Sequence, residues 1–504
     1  MEQQAVQRIT GLGPLDLAIL AAGISALFGV AYFSGREEKD TQDFFLARRH
    51  IPWWAASLSF IATEISALTI VGVPAAAFRE NWQYLQFFIG SAMARLTIAF
   101  LFIPAFYRYR CTTIYEFLSY RFSPNTQRTA SIFFFITRLV AAGVRLYAAS
   151  LAVAVILGWE LRTAIALFSV VSILYIGYGG IKAVVWTNVL QAFAFIGAGV
   201  ACLLFLYSRI PGGSGEIFKV AGESGKLSLI NLSGSLGDPT TLWIATLNGL
   251  FGSLSAFGTD HELMQRLLTV DTRKASQKTM VTTIFIGLPV TMLFLSIGTL
   301  LFVYYRTHPG LALPENTDKI LSHFIVYEMP QGLKGLMLMA ILMASIDSPL
   351  SSLTASFVTD IYRSVFRPEA SERHYMAVSR AAIVVFGLIL AVIAYGCRSF
   401  EGMLWFAFKI NGVTAGSLLG IFLLGLLTRR RANAANTIAM VTSAFCMGCL
   451  LYLSEMKLID LAWSWLIVIG TVSTFVGAWL LGPRLDWSKS SSADAPAEAP
   501  PPGD

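Results

Sequence analysis

Polar side chains that interrupt apolar segments carry the candidate chemistry of this chain. Residues 53–78 are apolar over about one membrane thickness, but Ala62-Thr63-Glu64-Ile65-Ser66 interrupts them near the middle. A carboxylate and two hydroxyls at that depth are costly unless they line a pathway. A membrane helix that breaks midway also exposes backbone carbonyls, which can bind a cation. The pattern therefore predicts a broken helix at an ion pathway.

A second intramembrane charge falls in the apolar segment 332–361. Asp347 lies deep in this segment and is followed by Ser348. An ionisable residue inside a span is expected to serve ion or proton coupling; the alternative is an ion pair with a basic residue elsewhere. The residues alone leave open whether sodium or a proton is coupled, the latter through Glu64 or Asp347.

Basic residues inside the predicted spans allow two interpretations. Arg138 and Arg145 are seven positions apart and share a helix face, and Arg95 also lies within a span. Arginine binds carboxylates well through two parallel hydrogen bonds, which favours an anionic solute. The competing interpretation is that Arg138 or Arg145 neutralises Glu64 or Asp347 structurally.

The composition places these residues in a membrane protein. Of the 504 residues, 55% are hydrophobic and only 13% are charged, whereas a soluble protein carries about 25% charged residues. We predict an all-α integral membrane protein with about thirteen transmembrane helices. The predicted spans are 15–34, 53–78, 84–107, 128–157, 161–178, 183–208, 240–262, 276–305, 332–361, 375–396, 402–427, 434–454 and 460–481.

The distribution of lysine and arginine predicts the orientation. With the N-terminus outside and the C-terminus in the cytoplasm, the inside loops hold about twice as many of these residues as the outside loops. The net charge of +7 therefore reflects topology. We expect one transmembrane domain over 1–484, a disordered cytoplasmic tail over 485–504, and an external loop at 209–239 with a short helix around 214–222.

Two other function classes are less compatible with the sequence. A membrane-embedded enzyme would need a catalytic cluster, but the five histidines lie at helix ends or in loops, and none forms an HExxH pair. A channel, including a solute-gated one, would need a continuous lined pore. The intramembrane polar residues instead cluster near mid-membrane, which favours a transporter with alternating access.

The predicted second and seventh spans are both interrupted. The seventh span, 240–262, contains Gly249-Leu250-Phe251-Gly252-Ser253 and follows the second by five spans. Breaks at matching places in two halves are typical of an inverted repeat with a binding site between the halves. The alternative is that the glycines allow helices to pack closely.

The chain resembles the sodium:solute symporter family over about residues 15–482. The resemblance is carried by six motifs in order: FFLARRHIPWWAASLSFIATEISALTIVGVP, IYEFLSYRF, YGGIKAVVWTNVLQ, GTDHELMQRLLT, GLKGLMLMAILMASIDSPLSSLTASFVTDIY and GSLLGIFLLGLLTRRRAN. It implies an inverted repeat of five plus five helices flanked by extra helices. It also implies import of a small polar organic solute with Na⁺ across the plasma membrane by a monomer.

The resemblance also implies where sodium binds. The corresponding ligands are backbone carbonyls and two hydroxyl positions, which fall here on Ala62, Ile65, Ile341, Ala344 and Ser345. Ala344 departs from the family because it has no hydroxyl. A second ion or coupling site would involve Asn188, Asp347 and Ser348, with Asn188 at the position of a family aspartate. We therefore expect one coupled sodium.

The solute site departs from that of sugar-carrying members. Their glutamine and glutamate anchors match Thr69 and Phe88 here, so a galactose-like binding mode is not expected. Arg145 falls near the carboxylate-binding arginine of a sialic-acid-carrying member, which favours an organic acid or a sugar derivative. The candidate solute-binding residues are Ser66, Thr69, Gln86, Phe88, Ser91, Arg145, Ser253 and Phe257; for the aromatic ones, plain helix packing is the alternative.

Overall fold

The regular structure is helical throughout the part of the chain that the computed structural model describes, residues 12–34, 45–109, 111–346, 350–399, 403–430 and 434–485. The helices are α1 Pro14–Ser34, α2 Trp53–Glu64, α3 Ala67–Arg79, α4 Leu85–Thr97, α5 Ile103–Arg108, α6 Glu116–Arg121, α7 Pro124–Leu157, α8 Leu161–Arg209, α9 Gly213–Glu223, α10 Leu242–Gly258, α11 His261–Leu268, α12 Arg273–Thr307, α13 Ile320–Tyr327, α14 Leu333–Ile346, α15 Leu350–Ser356, α16 Glu372–Gly396, α17 Met403–Leu427, α18 Ala434–Glu455 and α19 Trp465–Leu485. Single π-helical segments, Ile98–Phe102 and Phe357–Phe366, follow α4 and α15.

Helix lengths and hydropathy establish a multi-pass membrane protein. Nine helices in the described residues are long and apolar enough to cross a bilayer, and the bent pair α2–α3 makes a tenth candidate. Three shorter apolar helices, Leu161–Leu174, Leu242–Gly258 and Leu333–Ala344, fall in three of the other predicted spans. Since α8 is one helical run over Leu161–Arg209, two predicted spans join without an intervening loop. The short helix predicted around residues 214–222 is confirmed as α9.

Local sequence signals set the ends of α7, one of the helices that line the central cavity. The Ser123 hydroxyl accepts a hydrogen bond from the backbone N–H of Thr126, and Pro124 occupies the first turn. Gly158 ends the helix with a φ of 65°, a left-handed conformation that glycine adopts without strain. Between these signals the helix runs for 34 residues, which is long enough to cross a bilayer.

The predicted break in the second span is confirmed. Helices α2 and α3 meet at a bend of 56°, with Ile65 and Ser66 extended between them. Among the described residues, no backbone N–H is donated to the carbonyl of Ala62 or Ile65. The break therefore supplies two carbonyl oxygens that regular helix would have used.

The predicted break at Gly249–Ser253 is wrong. Helix α10 is continuous through these residues, and the helical path is interrupted later, at Thr259 and Asp260. A Cβ atom on Gly249 would overlap the carbonyl oxygen of Phe87, and one on Gly90 would overlap that of Thr246. The glycines thus allow α4 and α10 to pack backbone against backbone, which is the alternative role that their sequence pattern permitted.

Three of the predictions fall on parts of the chain outside this description. Asp347 and Ser348 lie between α14 and α15, outside the described residues. Ser345 lies in α14, but its side chain is outside the description. The predicted tail also lies outside the described residues beyond the end of α19 at Leu485.

Candidate solute and ion site

A cavity of about 270 Å³ lies beside the break between α2 and α3. Its lining comes from the break itself and from α3, α4, α7, α10, α11, α12 and α17. Two charged residues near the break, Glu64 and Arg145, take part in the lining, together with polar side chains such as Ser66 and Asn411. The cavity therefore has the mixed apolar and polar character of a site for a small polar solute.

Seven of the eight predicted solute-binding residues line this cavity: Ser66, Thr69, Phe88, Ser91, Arg145, Ser253 and Phe257. They come from four different helices and from the break, so the fold brings together positions up to 191 residues apart, from Ser66 to Phe257. Sequence reasoning missed Asn411 and Thr291, which lie singly in apolar segments and also contribute to the lining.

Gln86 lies outside the lining and holds the external loop. Its Nε2 donates to the carbonyl of Thr240 at 2.7 Å, and its Oε1 accepts from the backbone N–H of Asn231 at 3.1 Å. In the same loop, the Lys226 ammonium donates to the carbonyls of Phe78, Arg79 and Glu80 at 2.7–2.8 Å. The loop is thus fastened to the end of α3 and to the start of α4.

Aromatic rings cover one end of the cavity. The Phe87 ring lies 6.1 Å from Trp405 and 6.5 Å from Trp463, and Phe408 stacks on Trp463 at 5.8 Å between centroids. The Trp405 indole N–H donates to Glu80 Oε1 at 3.0 Å. These contacts join α17 to the end of α3 and to the start of α4.

Charged residues close the opposite end. Arg138 Nη1 lies 3.1 Å from Asp260 Oδ2, and Arg138 also forms an ion pair with Glu262. The Tyr115 hydroxyl donates to the carbonyl of Thr259 at 2.9 Å. Arg138 is therefore engaged with the interruption between α10 and α11, and not with Glu64, one of the two partners that the second interpretation of the intramembrane arginines named.

The four described backbone positions of the predicted sodium site lie in one buried cluster. Ala62, Ile65, Ile341 and Ala344 are each at most 6% exposed and belong to the same core. Helix α3, which begins just after the break, is in contact with α14, the helix that carries Ile341. The fold therefore packs the helix that carries Ile341 and Ala344 against a helix that begins at the break.

Asn188 is fully buried and contacts the helix that leads into the break. Its Nδ2 donates to Ser59 Oγ at 3.2 Å and to Thr63 Oγ1 at 3.0 Å. Its Oδ1 and both amide atoms of Gln191 are buried without a hydrogen-bond partner among the described residues. Gln191 is a residue that sequence reasoning missed, although its spacing of three from Asn188 puts both on one helix face.

The neutralising partner of Glu64 is Arg95. Arg95 Nη2 lies 2.6 Å from Glu64 Oε1, and the arginine side chain is fully buried. The sequence suggested Arg138 or Arg145 for this role, but proximity of α4 to the break could not be read from helix faces alone. Arg145 Nη1 instead donates to the carbonyl of Thr63 at 3.2 Å, so a guanidinium and an ion-paired carboxylate flank the break.

Comparisons with known proteins agree along nearly the whole chain. The model of the sodium:solute symporter family matches residues 44–442. The sodium/sialic acid symporter SiaT of Proteus mirabilis is 30% identical over 502 residues, covering 96% of this chain and 97% of the relative. The sodium/sialic acid symporter NanT of Aliivibrio fischeri is 31% identical over 481 residues, covering 94% and 93%.

A solved structure gives the same result at the level of the fold. A substrate-bound, outward-open Na⁺-coupled sialic acid symporter aligns with a TM-score of 0.84 at 27% identity, covering 94% of this chain and 98% of that chain. The family predicted from the six motifs is confirmed, and the interpretation as a membrane-embedded enzyme is excluded. The chain belongs to the sodium:solute symporter family and is a sodium-coupled solute transporter.

Proposed function

We propose that this protein imports a sialic-acid-like sugar acid together with sodium. The observation that supports this most directly is the cavity at the helix break, lined by Arg145 and by the hydroxyls of Ser66 and Thr69, in a chain similar over its length to sialic acid symporters. Arg145 would bind the solute carboxylate, and the hydroxyls would bind its polar groups. The sequence favoured an organic acid or a sugar derivative, and the proposal narrows these two solute classes to sugar acids, which combine both.

Sodium would bind where the break meets α14. In this proposal its ligands are the carbonyls of Ala62, Ile65 and Ile341 and the hydroxyl of Ser345, and Ala344 contributes no side-chain oxygen. The ion would hold the two helices together and order the solute cavity. Because coupling is reciprocal, the solute must tighten sodium binding by the same factor.

A second ion or coupling site is proposed at Asn188, Asp347 and Ser348. Its support is the buried Asn188 Oδ1 without a partner among the described residues, beside the helix that leads into the break. Proton coupling through Glu64 has less support, because Arg95 already neutralises that carboxylate.

The architecture that goes with this function is a five-plus-five inverted repeat within about thirteen spans. We propose that the single transmembrane domain, residues 1–484, works as a monomer in the plasma membrane, with the N-terminus outside and the tail at 485–504 in the cytoplasm. The aromatic end of the cavity would then face outward and the Arg138–Asp260 end inward. Alternating access would open these two ends in turn.

The experiment is uptake of radiolabelled N-acetylneuraminic acid into proteoliposomes. We expect accumulation driven by an inward sodium gradient and none in potassium at equal ionic strength. Accumulation driven by a pH gradient without sodium would instead support proton coupling, and flux without accumulation would support a channel. Absence of sodium-dependent uptake of any sugar acid would refute the proposal.

Replacement of Arg145 tests how the carboxylate is held. We expect Arg145→Met to weaken N-acetylneuraminic acid binding by tenfold or more, because a charge-assisted hydrogen bond contributes about 1.5–3 kcal/mol. Thermal shifts with sodium and the sugar acid would measure this. Sodium alone should still stabilise the variant, and an unchanged affinity for the acid would remove Arg145 from the site.

A further inference from the structure

Glu64 has the position of a solute contact as well as that of an ion-pair partner. It ends α2 at the break and lines the central cavity, with a quarter of its side chain exposed. Ser66, two residues further along the chain, lines the same cavity, and the carbonyl of the preceding Thr63 accepts a hydrogen bond from the lining residue Arg145. A charged group at this point meets any solute that fills the cavity.

The arginine that neutralises Glu64 is itself held firmly by other groups. Arg95 Nη1 donates to Thr283 Oγ1 at 2.7 Å, and its guanidinium lies 4.6 Å from the ring centroid of Phe257 and 5.8 Å from that of Phe88. Cation–π contacts at these distances are favourable, more so away from water. Arg95 is thus fixed behind the cavity wall and approaches Glu64 from one side.

Because Arg95 contacts only Oε1, the second carboxylate oxygen of Glu64, Oε2, receives no hydrogen bond from it. Oε1 accepts the hydrogen bond from Arg95 at 2.6 Å, whereas Oε2 is buried and has no hydrogen-bond donor among the described residues. A buried carboxylate oxygen without a donor is unfavourable unless a ligand supplies one. Glu64 lines the cavity and a quarter of its side chain is exposed, so a bound solute is the candidate donor once the carboxyl group turns Oε2 toward the cavity.

We infer that Glu64 is a specificity-determining residue that accepts a hydrogen bond from a hydroxyl or amide N–H of the solute. The inference rests on the proposed sugar-acid function and extends it to a second recognition point. Arg145 and Glu64 flank the same break, so the preferred solute carries a carboxylate and a neutral hydrogen-bond donor. The ion pair with Arg95 offsets the repulsion that a lone glutamate would exert on an anion.

A protein–solute double-mutant cycle tests this contact. The probes are N-acetylneuraminic acid and analogues from which one hydroxyl or the amide N–H has been removed, bound to purified protein in sodium. In the wild type we expect one analogue to bind at least about tenfold more weakly than the parent acid, as for loss of a hydrogen bond to a charged acceptor. In the double variant Glu64→Met/Arg95→Met, the same analogue should bind within about twofold of the parent.

The double variant is chosen so that the protein still folds. Removal of Glu64 alone would leave Arg95 buried and unpaired, whereas apolar replacement of a whole buried pair is often tolerated. Thr283 keeps a partner, because its hydroxyl also donates to the carbonyl of Met280 at 2.6 Å. The conservative variant Glu64→Gln retains an acceptor and should retain part of the discrimination between the analogue and the parent acid.

Removal of an ion pair that lies outside the cavity lining provides the control. Lys409 and Glu455 lie 2.8 Å apart and are absent from the cavity lining, so Lys409→Met/Glu455→Met should discriminate like the wild type. If the Glu64 double variant distinguishes the analogue from the parent acid as strongly as the wild type does, the inference is overturned, but the proposed sugar-acid transport is not. A loss of stabilisation by sodium alone would assign Glu64 to the ion instead. Failure of the wild type to bind the parent acid would overturn the proposed function, and this inference with it.

Discussion

The individual residues around the break divide into two chemical roles. Backbone oxygens of Ala62 and Ile65 are freed by the change from helix to extended conformation, and oxygen ligands of this kind suit a hard cation such as sodium. Glu64 and Arg145 are charged groups beside the cavity. In the proposed function, the backbone of this short segment binds the ion while charged side chains beside it contact the solute.

A hydroxyl on α14 is expected to set the affinity for sodium. We expect Ser345→Ala to raise the sodium concentration for half-maximal uptake more than it lowers the maximal rate, because an ion ligand is lost. The converse change, Ala344→Ser, restores the hydroxyl that the family pattern contains and should lower that concentration. Sodium titrations of uptake measure both, and an unchanged titration in Ser345→Ala would contradict the assigned site.

At the scale of elements, close packing of α4 and α10 brings two walls of the cavity together. We expect Gly249→Ala to destabilise the protein and reduce uptake, because the added methyl overlaps the carbonyl of Phe87. Both groups in this overlap belong to helix backbones, which move apart only at a cost in packing energy. In Gly252→Ala on the same helix, the nearest neighbour would be 3.9 Å away. That control should match or slightly exceed wild-type stability by thermal unfolding; equal behaviour of the two variants would argue against the packing role.

Helix α6, between two candidate spans, contains a carboxyl whose ionisation opposes folding. Burial raises the pKa of Glu116 from 4.5 to about 7, despite a hydrogen bond from the backbone N–H of Thr112 at 2.7 Å. The folded state binds this proton more tightly than the unfolded state. The contribution of Glu116 to stability is therefore complete below about pH 4.5 and is lost as the pH rises through 7.

This linkage predicts a difference between wild type and Glu116→Gln. As the pH rises from about 5 to 8, the melting temperature of the wild type should fall relative to that of the variant, which cannot ionise at this position. Thermal unfolding in detergent measures the difference. Glu369, exposed in the loop that precedes α16, provides the control: Glu369→Gln should follow the wild type, and parallel curves for Glu116→Gln would rule out the raised pKa.

In the whole molecule, the helices enclose a central cavity, and different interactions close its two ends. Aromatic contacts and the Trp405–Glu80 hydrogen bond close one end, and the Arg138 ion pairs close the other. The external loop adds to the first closure, because Lys226 and Gln86 fasten it to α3 and α4. Movement at that end must therefore carry or release the loop.

The number of sodium ions determines how uptake responds to voltage. One sodium moved with one sugar-acid anion transfers no net charge, whereas a second sodium adds one charge, worth about 2.3 kcal/mol at 100 mV. With one coupled sodium, we expect a valinomycin-imposed potential to leave uptake into proteoliposomes unchanged. Acceleration by an inside-negative potential would indicate a second ion, and its loss in Asn188→Ala would assign that ion to the second site.

The sequence by itself determined the class of the protein and the position of the first break. Hydropathy over about twenty residues and three polar residues within positions 62–66 are local properties, so neighbouring residues suffice to read them. The six motifs likewise identified the family, because each is contiguous along the chain.

Only the tertiary structure decided which distant side chains meet. Gly249 was ambiguous because a glycine can break a helix or admit a neighbouring backbone, and contact with Phe87 settles which. Gln86 binds the loop at Thr240, and Glu64 pairs with Arg95 from a different helix. Such pairings depend on the relative placement of whole helices, which arises from packing over the entire core and leaves no periodic signal in the sequence.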